Sequence, residues 1–340
     1  MRWDGEIFTD PEDIIAAYQA GGEGYIHDAK EHESFLGHIK DTGGNPVGSE
    51  VAHEYGLADE SKGKLILPYR YVLDAYPDCW PGPAQGRGDC VSHGITRAAL
   101  GVLATDFLSG DKDSHTGKVE RKPEVSQVAR ENAVASSEAV YWFRQKKSDG
   151  WQSSSAAKVM LSKCGIVLRK NYPGIADLTR YSAKTAGKWG ATPPPPEVVD
   201  TLDNNLIRTA TTLDSPEEWR DFLGRGYFIS SDGGQGFNRV RDSNGVAKRT
   251  TTWRHCMLLA GFDDRPEIHR AYGGPLALFI NSWGPRSMSG GSQILGTDLH
   301  IPAGSFWSRV SDIRSRTCIA LSNATGWARR TLPDLSPNFK

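Results

Sequence analysis

The hydrophobic positions of this 340-residue chain change period near its middle. In the first half they recur at helical spacing. Val91, Ile95, Ala98, Val102 and Leu103 fall on one face of a 3.6-residue period and predict a helix that begins at Cys90. Gly94 and Gly101 inside it each cost about 1 kcal/mol relative to alanine, which close packing against another element would offset. Asp10-Pro11-Glu12-Asp13 puts a capping carboxylate, a first-turn proline and two acids ahead of IIAAYQA, a helix start that Gly21-Gly22 ends. Further helices are expected over 49–57, 126–145 and 154–164. Residues 67–84, with Pro68, Pro77, Pro81 and Pro83, read as extended and turn-rich. Residues 182–198 read as a basic loop closing on Pro193-Pro194-Pro195-Pro196, a stiff linker in polyproline conformation.

Beyond the prolines the period shortens towards two. Strands are expected over 226–231, 254–262, 276–280 and 304–307, after a short helix opened by Ser215-Pro216-Glu217-Glu218. TTWRHCMLLAGF alternates Cys256, Leu258 and Ala260 on one face with His255, Met257 and Leu259 on the other. The connection DDRPEIHRAYGGP reads as a hairpin-type turn. The pattern therefore predicts an α+β protein: an extension over 1–66, a main domain over 67–325 with a helical half (67–190) and a strand-rich half (200–325), and a tail over 326–340.

Charge narrows the function. Forty Lys and Arg stand against 41 Asp and Glu, a formal net charge of −1, so no general attraction to nucleic acid is expected. No apolar run is long enough for a membrane span. The opening MRWDGEIFTDPEDI lacks the charged-then-apolar profile of a secretory signal. Five cysteines, an odd and sparse set, do not make a disulfide framework. The expectation is cytoplasmic synthesis with reduced thiols, which also accommodates incorporation into a virion.

Chemistry concentrates at QGRGDCVSHG, residues 85–94. A thiol at a helix N-terminus faces unpaired amides and the positive end of the helix dipole, which favour the nucleophilic thiolate. His255 opens a buried strand, and FINSWG ends a second one at Asn281. Antiparallel pairing of these strands would set the amide beside the imidazole, fixing its tautomer and leaving the other nitrogen for a thiol. Competing readings are weaker. Arg87-Gly88-Asp89 spells an adhesion tripeptide but overlaps this turn. Cys90-x-x-His93 with His255-Cys256 is a poor zinc set, because adjacent strand residues point to opposite faces; neither metal nor cofactor is expected. Cys79, Cys164 and Cys318 read as small buried side chains.

Taken in order, QGxGDC, RHCMLLAGFDD and NSWG resemble the papain-like cysteine peptidases, over about residues 67–322. Asp149-Gly150-Trp151, KCGIVLRKNYP and GSFWSRVSDI are fainter echoes. The resemblance implies a two-lobe α+β fold, one lobe helical and the other an antiparallel β-barrel-like lobe, with the active-site cleft between. It implies Cys90 as nucleophile, His255 as acid–base partner, Asn281 as the group orienting it and Trp283 as their shield. Gln85 and the Cys90 amide would form the oxyanion hole, with Gly88 and Asp89 in its turn. The substrate would be a peptide or protein, and residues 1–66 would be a pro-segment or an arm for self-association or assembly. The family usually places the cysteine six positions after the glutamine where this chain places it five after, and has a small residue where Asp89 stands and an aromatic where Val91 stands. A carboxylate beside a thiolate raises the thiol's pKa unless its side chain caps the helix. These departures resemble a divergent GDCVS-type branch of bacterial and phage sequences. Two alternatives stay open: a catalytically silent component of a larger assembly such as a phage particle, and an amidase acting on peptidoglycan crosslinks.

Overall fold

The structure is a computed structural model and describes residues 8, 10–20, 24–109, 125–146, 148–193, 207–250, 252–313, 316–330 and 332. The expected prolines at 194–196 and most of the expected tail lie outside the described residues.

Local signals place the first elements. Helix α1 (Pro11–Gln19) starts with the Asp10 carboxylate accepting from the Glu12 amide and Pro11 in the first turn. Helices α2 (Ala29–Asp41) and α3 (Gly48–Glu54) and the two-residue strand β1 (Leu65–Ile66) follow. Helix α4 (Tyr69–Ala75) occupies a stretch expected to be extended: Pro68 precedes its first turn and Pro77 lies beyond its end, so the prolines bracket the helix.

Helix α5 (Cys90–Ser109) is the centre of the molecule. Every residue from Cys90 to Asp106 is buried, not one face alone. It packs on α4, α7 (Ser137–Trp142) and α8 (Ser153–Val159) among the helices, and against the main sheet. Both of its glycines are contact points: a Cβ at Gly94 would overlap the Cys256 sulfur, and one at Gly101 the Phe228 ring. The single helix expected over 126–145 is two, α6 (Gln127–Glu131) and α7, separated by Ala133 at a φ of 69°. Helix α8 runs on into a π-helical turn (Met160–Cys164). The short pair β2 (Asn171–Tyr172) and β3 (Ala176–Asp177) precedes α9 (Ala183–Gly190), which replaces the expected basic loop. Trp189 stacks on Trp142 at 4.0 Å, a tertiary contact that local composition does not announce.

The second half supplies β4 (Thr209–Leu213), α10 (Pro216–Gly224) with its full Ser215/Glu218 capping box, and β5 (Ile229–Gly233). Strands β6 (Phe237–Arg241), β7 (Ala247–Arg249), β8 (His255–Asp263), β9 (Leu276–Ile280), β10 (Ser289–Gly290), β11 (Ser305–Arg309) and β12 (Thr317–Ser322) complete it. The link between β8 and β9 is not a hairpin turn but helix α11 (Pro266–Tyr272), with proline in its first turn and Gly273 in the left-handed region, φ 77°, at its end.

The main sheet is antiparallel in the order β11-β9-β8-β5-β12-β4, with β1 paired to the far end of β8. It is open, which corrects the expected barrel-like lobe: β11 and β4 stand at opposite ends and do not pair. Loops cover both edges instead. The Thr212 amide and hydroxyl donate to the Pro46 carbonyl at 3.1 and 2.7 Å beside β4. The Trp307 amide donates to the Gly245 carbonyl at 2.9 Å beside β11. These loops stand where closure would require β11 and β4 to pair with each other.

Residues 29–66 pack as part of this body. Phe35, Ile39, Val51 and Leu57 join the hydrophobic core, α2 lies on α8, and α3 lies on β4 and α10.

Candidate active site

Three elements converge at the N-terminus of α5. Cys90 is its first residue, His255 the first residue of β8, and Asn281 follows the last residue of β9. Antiparallel pairing of β8 with β9, Leu258 opposite Ile280, brings the histidine and asparagine together. The His255 Nε2 lies 2.8 Å from the Asn281 Oδ1. An amide oxygen only accepts, so Nε2 carries the proton and Nδ1 is left as the acceptor. Trp283 stacks on the imidazole at 4.6 Å with an interplanar angle of 26°, and all three side chains are fully buried.

Cys90 is not hydrogen-bonded to this pair. Its sulfur accepts from the Cys256 amide at 3.3 Å, one residue beyond the histidine, and hydrogen-bonds the Tyr18 hydroxyl. The His255 Nδ1 is buried with no hydrogen-bond partner among the described residues.

Gln85 reaches the same point from the other side. Its amide nitrogen donates to the Arg87 carbonyl at 2.7 Å and to the Tyr18 hydroxyl at 3.3 Å, while its oxygen accepts from Ser282. The Gln85 backbone amide donates to the Ser282 carbonyl at 2.7 Å, joining the turn before α5 to the segment after β9. Asp89 does not cap α5. Its carboxylate accepts from the Tyr181 hydroxyl at 2.9 Å and faces His93 at 3.6 Å. Gly88 donates its amide to Asp149 at 3.2 Å. Arg87 and Asp89 are both buried, so the adhesion tripeptide is not displayed.

Tyr18 is the residue that sequence reasoning missed. It comes from α1 and is wholly buried, its ring 4.7 Å from His255 and 5.0 Å from Trp283. The chain beyond it passes directly over the thiol, since a Cβ at Gly24 would press on both Tyr18 and the Cys90 sulfur. The amides of Gly24 and Tyr25 donate to the Arg254 carbonyl at 3.0 and 2.9 Å; Ile26 donates to Trp151 at 2.8 Å, and Trp151 back to Gly24 at 3.2 Å. Phe8 donates to the Gly86 carbonyl at 2.7 Å. The described residues between 8 and 26 thus lie along both walls of the site. Ile14, Ile15 and Tyr18 at helical spacing were the available signal, but an apolar helix face does not say what it covers.

This cover sets the protonation states. Burial pushes the Cys90 thiol up to about 12; hydrogen bonds from Tyr18 and Cys256 pull the other way, and the Asp232 and Asp89 carboxylates add to the rise. Burial pushes His255 down to about 3, against the hydrogen bond it donates to Asn281. The site at rest is a neutral thiol beside a neutral imidazole.

All five cysteines are buried and unpaired. Among the described residues no group of three or more His, Cys, Asp or Glu side chains is placed to hold a metal ion, and no helix is long and apolar enough to cross a membrane.

No family model matches the sequence, and no curated protein sequence matches it. Among solved structures, the chain is similar to the proform of the ragweed pollen allergen Amb a 11, a cysteine protease, with TM-score 0.45 and 14% identity over 84% of this chain and 72% of that one. It is also similar to a structure of the mite allergens Blo t 1 and Der p 1, with TM-score 0.38 and 14% identity over 71% and 66%. A third is the digestive procathepsin L 3 of Tenebrio molitor larval midgut, with TM-score 0.36 and 10% identity over 92% and 99%.

Proposed function

We propose that the chain is a papain-like cysteine peptidase whose cleft is filled by the described residues between 8 and 26. The observation that carries this is the His255 ring, held between the Asn281 oxygen and the Trp283 face with its Nδ1 unspent, while the amide one residue further on donates to the sulfur of Cys90 at the start of a buried helix.

The chemistry follows once the segment leaves. Water and substrate enter, the burial that separates the two pKa values is relieved, and His255 Nδ1 takes the Cys90 proton. The thiolate attacks a peptide carbonyl. The Cys90 amide and the Gln85 side-chain amide, which in the closed form donates to the Tyr18 hydroxyl, hold the oxyanion. His255 returns the proton to the leaving amine, and water hydrolyses the thioester. Asn281 keeps the imidazole in the tautomer this requires.

The test is a peptidyl epoxide followed by the intact mass, in the full chain and in Tyr18→Ala, where the plug is shortened. The expected result is one adduct, absent in Cys90→Ala and slowed about a hundredfold or more in His255→Ala. A folded Tyr18→Ala chain whose Cys90 reacts with iodoacetamide but never with the epoxide would sink the peptidase reading and leave a silent structural component.

A further inference from the structure

Beside the site lies a buried ionic cluster for which the mechanism has no use. Asp149 is fully buried and Arg87 nearly so. One Asp149 oxygen accepts from Arg87 Nε at 2.9 Å, Arg87 Nη2 at 2.5 Å and the Tyr141 hydroxyl at 2.8 Å. The other accepts from the Gly88 amide at 3.2 Å. The Gly150 amide donates back to the Gly88 carbonyl at 3.3 Å, and Arg87 Nη1 reaches the Ala183 carbonyl at 3.4 Å. Gly187 has no room for a Cβ because the Arg87 guanidinium lies against it.

Desolvating a carboxylate and a guanidinium is expensive, and an apolar pair of similar size is often as stable or more so. Fold stability is therefore a poor reason for the cluster. Its connections suggest a better one. Arg87 and Gly88 sit in the four-residue turn between Gln85 and Cys90, and the Arg87 carbonyl holds the Gln85 side-chain amide at 2.7 Å. Asp149 leads into Gly150 and Trp151, the wall that pairs with the cleft segment through both Trp151 backbone groups. The forked pair ties the oxyanion turn to the opposite wall at a fixed distance.

Resting on the peptidase reading, we propose that Asp149 is a positioning residue: acting through Arg87 and the Gly88 amide, it sets where Gln85 and the Cys90 amide meet the oxyanion. The tie replaces the freedom of a glycine-rich turn with one geometry, and displacements of about 1 Å in such donors are costly to catalysis.

The test compares two small reagents on the full chain. Iodoacetamide alkylates Cys90 as the sulfur–carbon bond forms and iodide leaves, with no oxyanion. p-Nitrophenyl acetate acetylates it through a tetrahedral oxyanion, as the thioester forms and nitrophenolate leaves. Both need the same opening of the N-terminal segment, so the ratio of the two rates cancels that step. Mass mapping assigns each adduct to Cys90. Gln85→Ala is the benchmark and should lower the acetylation-to-alkylation ratio about tenfold or more. Asp149→Asn should lower it comparably while leaving alkylation near wild type. Because that variant strands a buried guanidinium, the double variant Arg87→Met/Asp149→Leu is run beside it: it removes both charges, should fold, and should show the same loss. A wild-type ratio in the double variant, with Gln85→Ala still reduced, overturns the positioning role alone. An unchanged ratio in Gln85→Ala overturns the oxyanion turn itself and the proposal with it.

Discussion

Tyr18→Ala is the sharpest perturbation of the closed site. The ring is wholly buried against His255 and Trp283, and its hydroxyl bonds both Gln85 and the Cys90 sulfur. Truncating a buried aromatic costs about 3–5 kcal/mol. In the open form Tyr18 stands in water, so nearly all of that loss falls on the closed form. At 1.4 kcal/mol per tenfold, the open fraction rises by about two to three and a half orders of magnitude. Labelling of Cys90 by iodoacetamide through a pre-equilibrium opening should accelerate by the same factor. Cys164, buried at the end of the π-helical turn that continues α8 and pushed up to about 12 by burial alone, reports global unfolding in the same sample. The expected outcome is fast modification of Cys90 with Cys164 still protected. Two results refute the reasoning: a folded variant whose Cys90 rate stays within about threefold of wild type, or equal acceleration at Cys90 and Cys164. The second would make Tyr18 an ordinary core residue.

Asn281→Ala leaves the His255 Nε2 proton without its 2.8 Å partner and frees the ring to change tautomer; in a Tyr18→Ala background, epoxide labelling should fall by about tenfold or more while circular dichroism is unchanged. Gly101→Ala drives a methyl into the Phe228 ring at the helix–sheet contact and should lower the thermal midpoint by several degrees, unlike Gly37→Ala, where the added methyl meets nothing. Because the folded pKa of His255 is depressed to about 3, its contribution to stability is present above pH 6.5 and is lost as pH falls from there towards 3, at about 1.4 kcal/mol per unit. His255→Asn should flatten that part of the stability profile measured by urea unfolding. Cys90 behaves oppositely: its raised pKa makes a contribution present below pH 9 that is lost as pH rises towards 12.

The individual elements differed in how readable they were. Capping chemistry announced α1 and α10 because the signal is contained within a few residues. α11 carried comparable signals, proline at one end and glycine at the other, that were read as a turn. α9 carried little, since its Trp189 is ordered by a tryptophan from another helix. The expected barrel failed for a related reason: whether a sheet closes depends on what meets its edge strands, and here Pro46 and Gly245 from distant loops do so.

Cys90, His255, Asn281 and Gln85 could be put forward from the chain alone because each sits in a short motif of the residue types that the proposed chemistry would demand. The helix start, the strand alternation and the NSWG segment made them candidates before any fold was known. Only the tertiary structure decided the state they occupy. It brought Tyr18 and Gly24 across the thiol, turned Asp89 away to Tyr181, and joined Arg87 to Asp149 across 62 positions of sequence. Burial did the rest: excluding water moved the thiol and the imidazole apart in pKa, and water exclusion belongs to the packed molecule, not to any local run of residues.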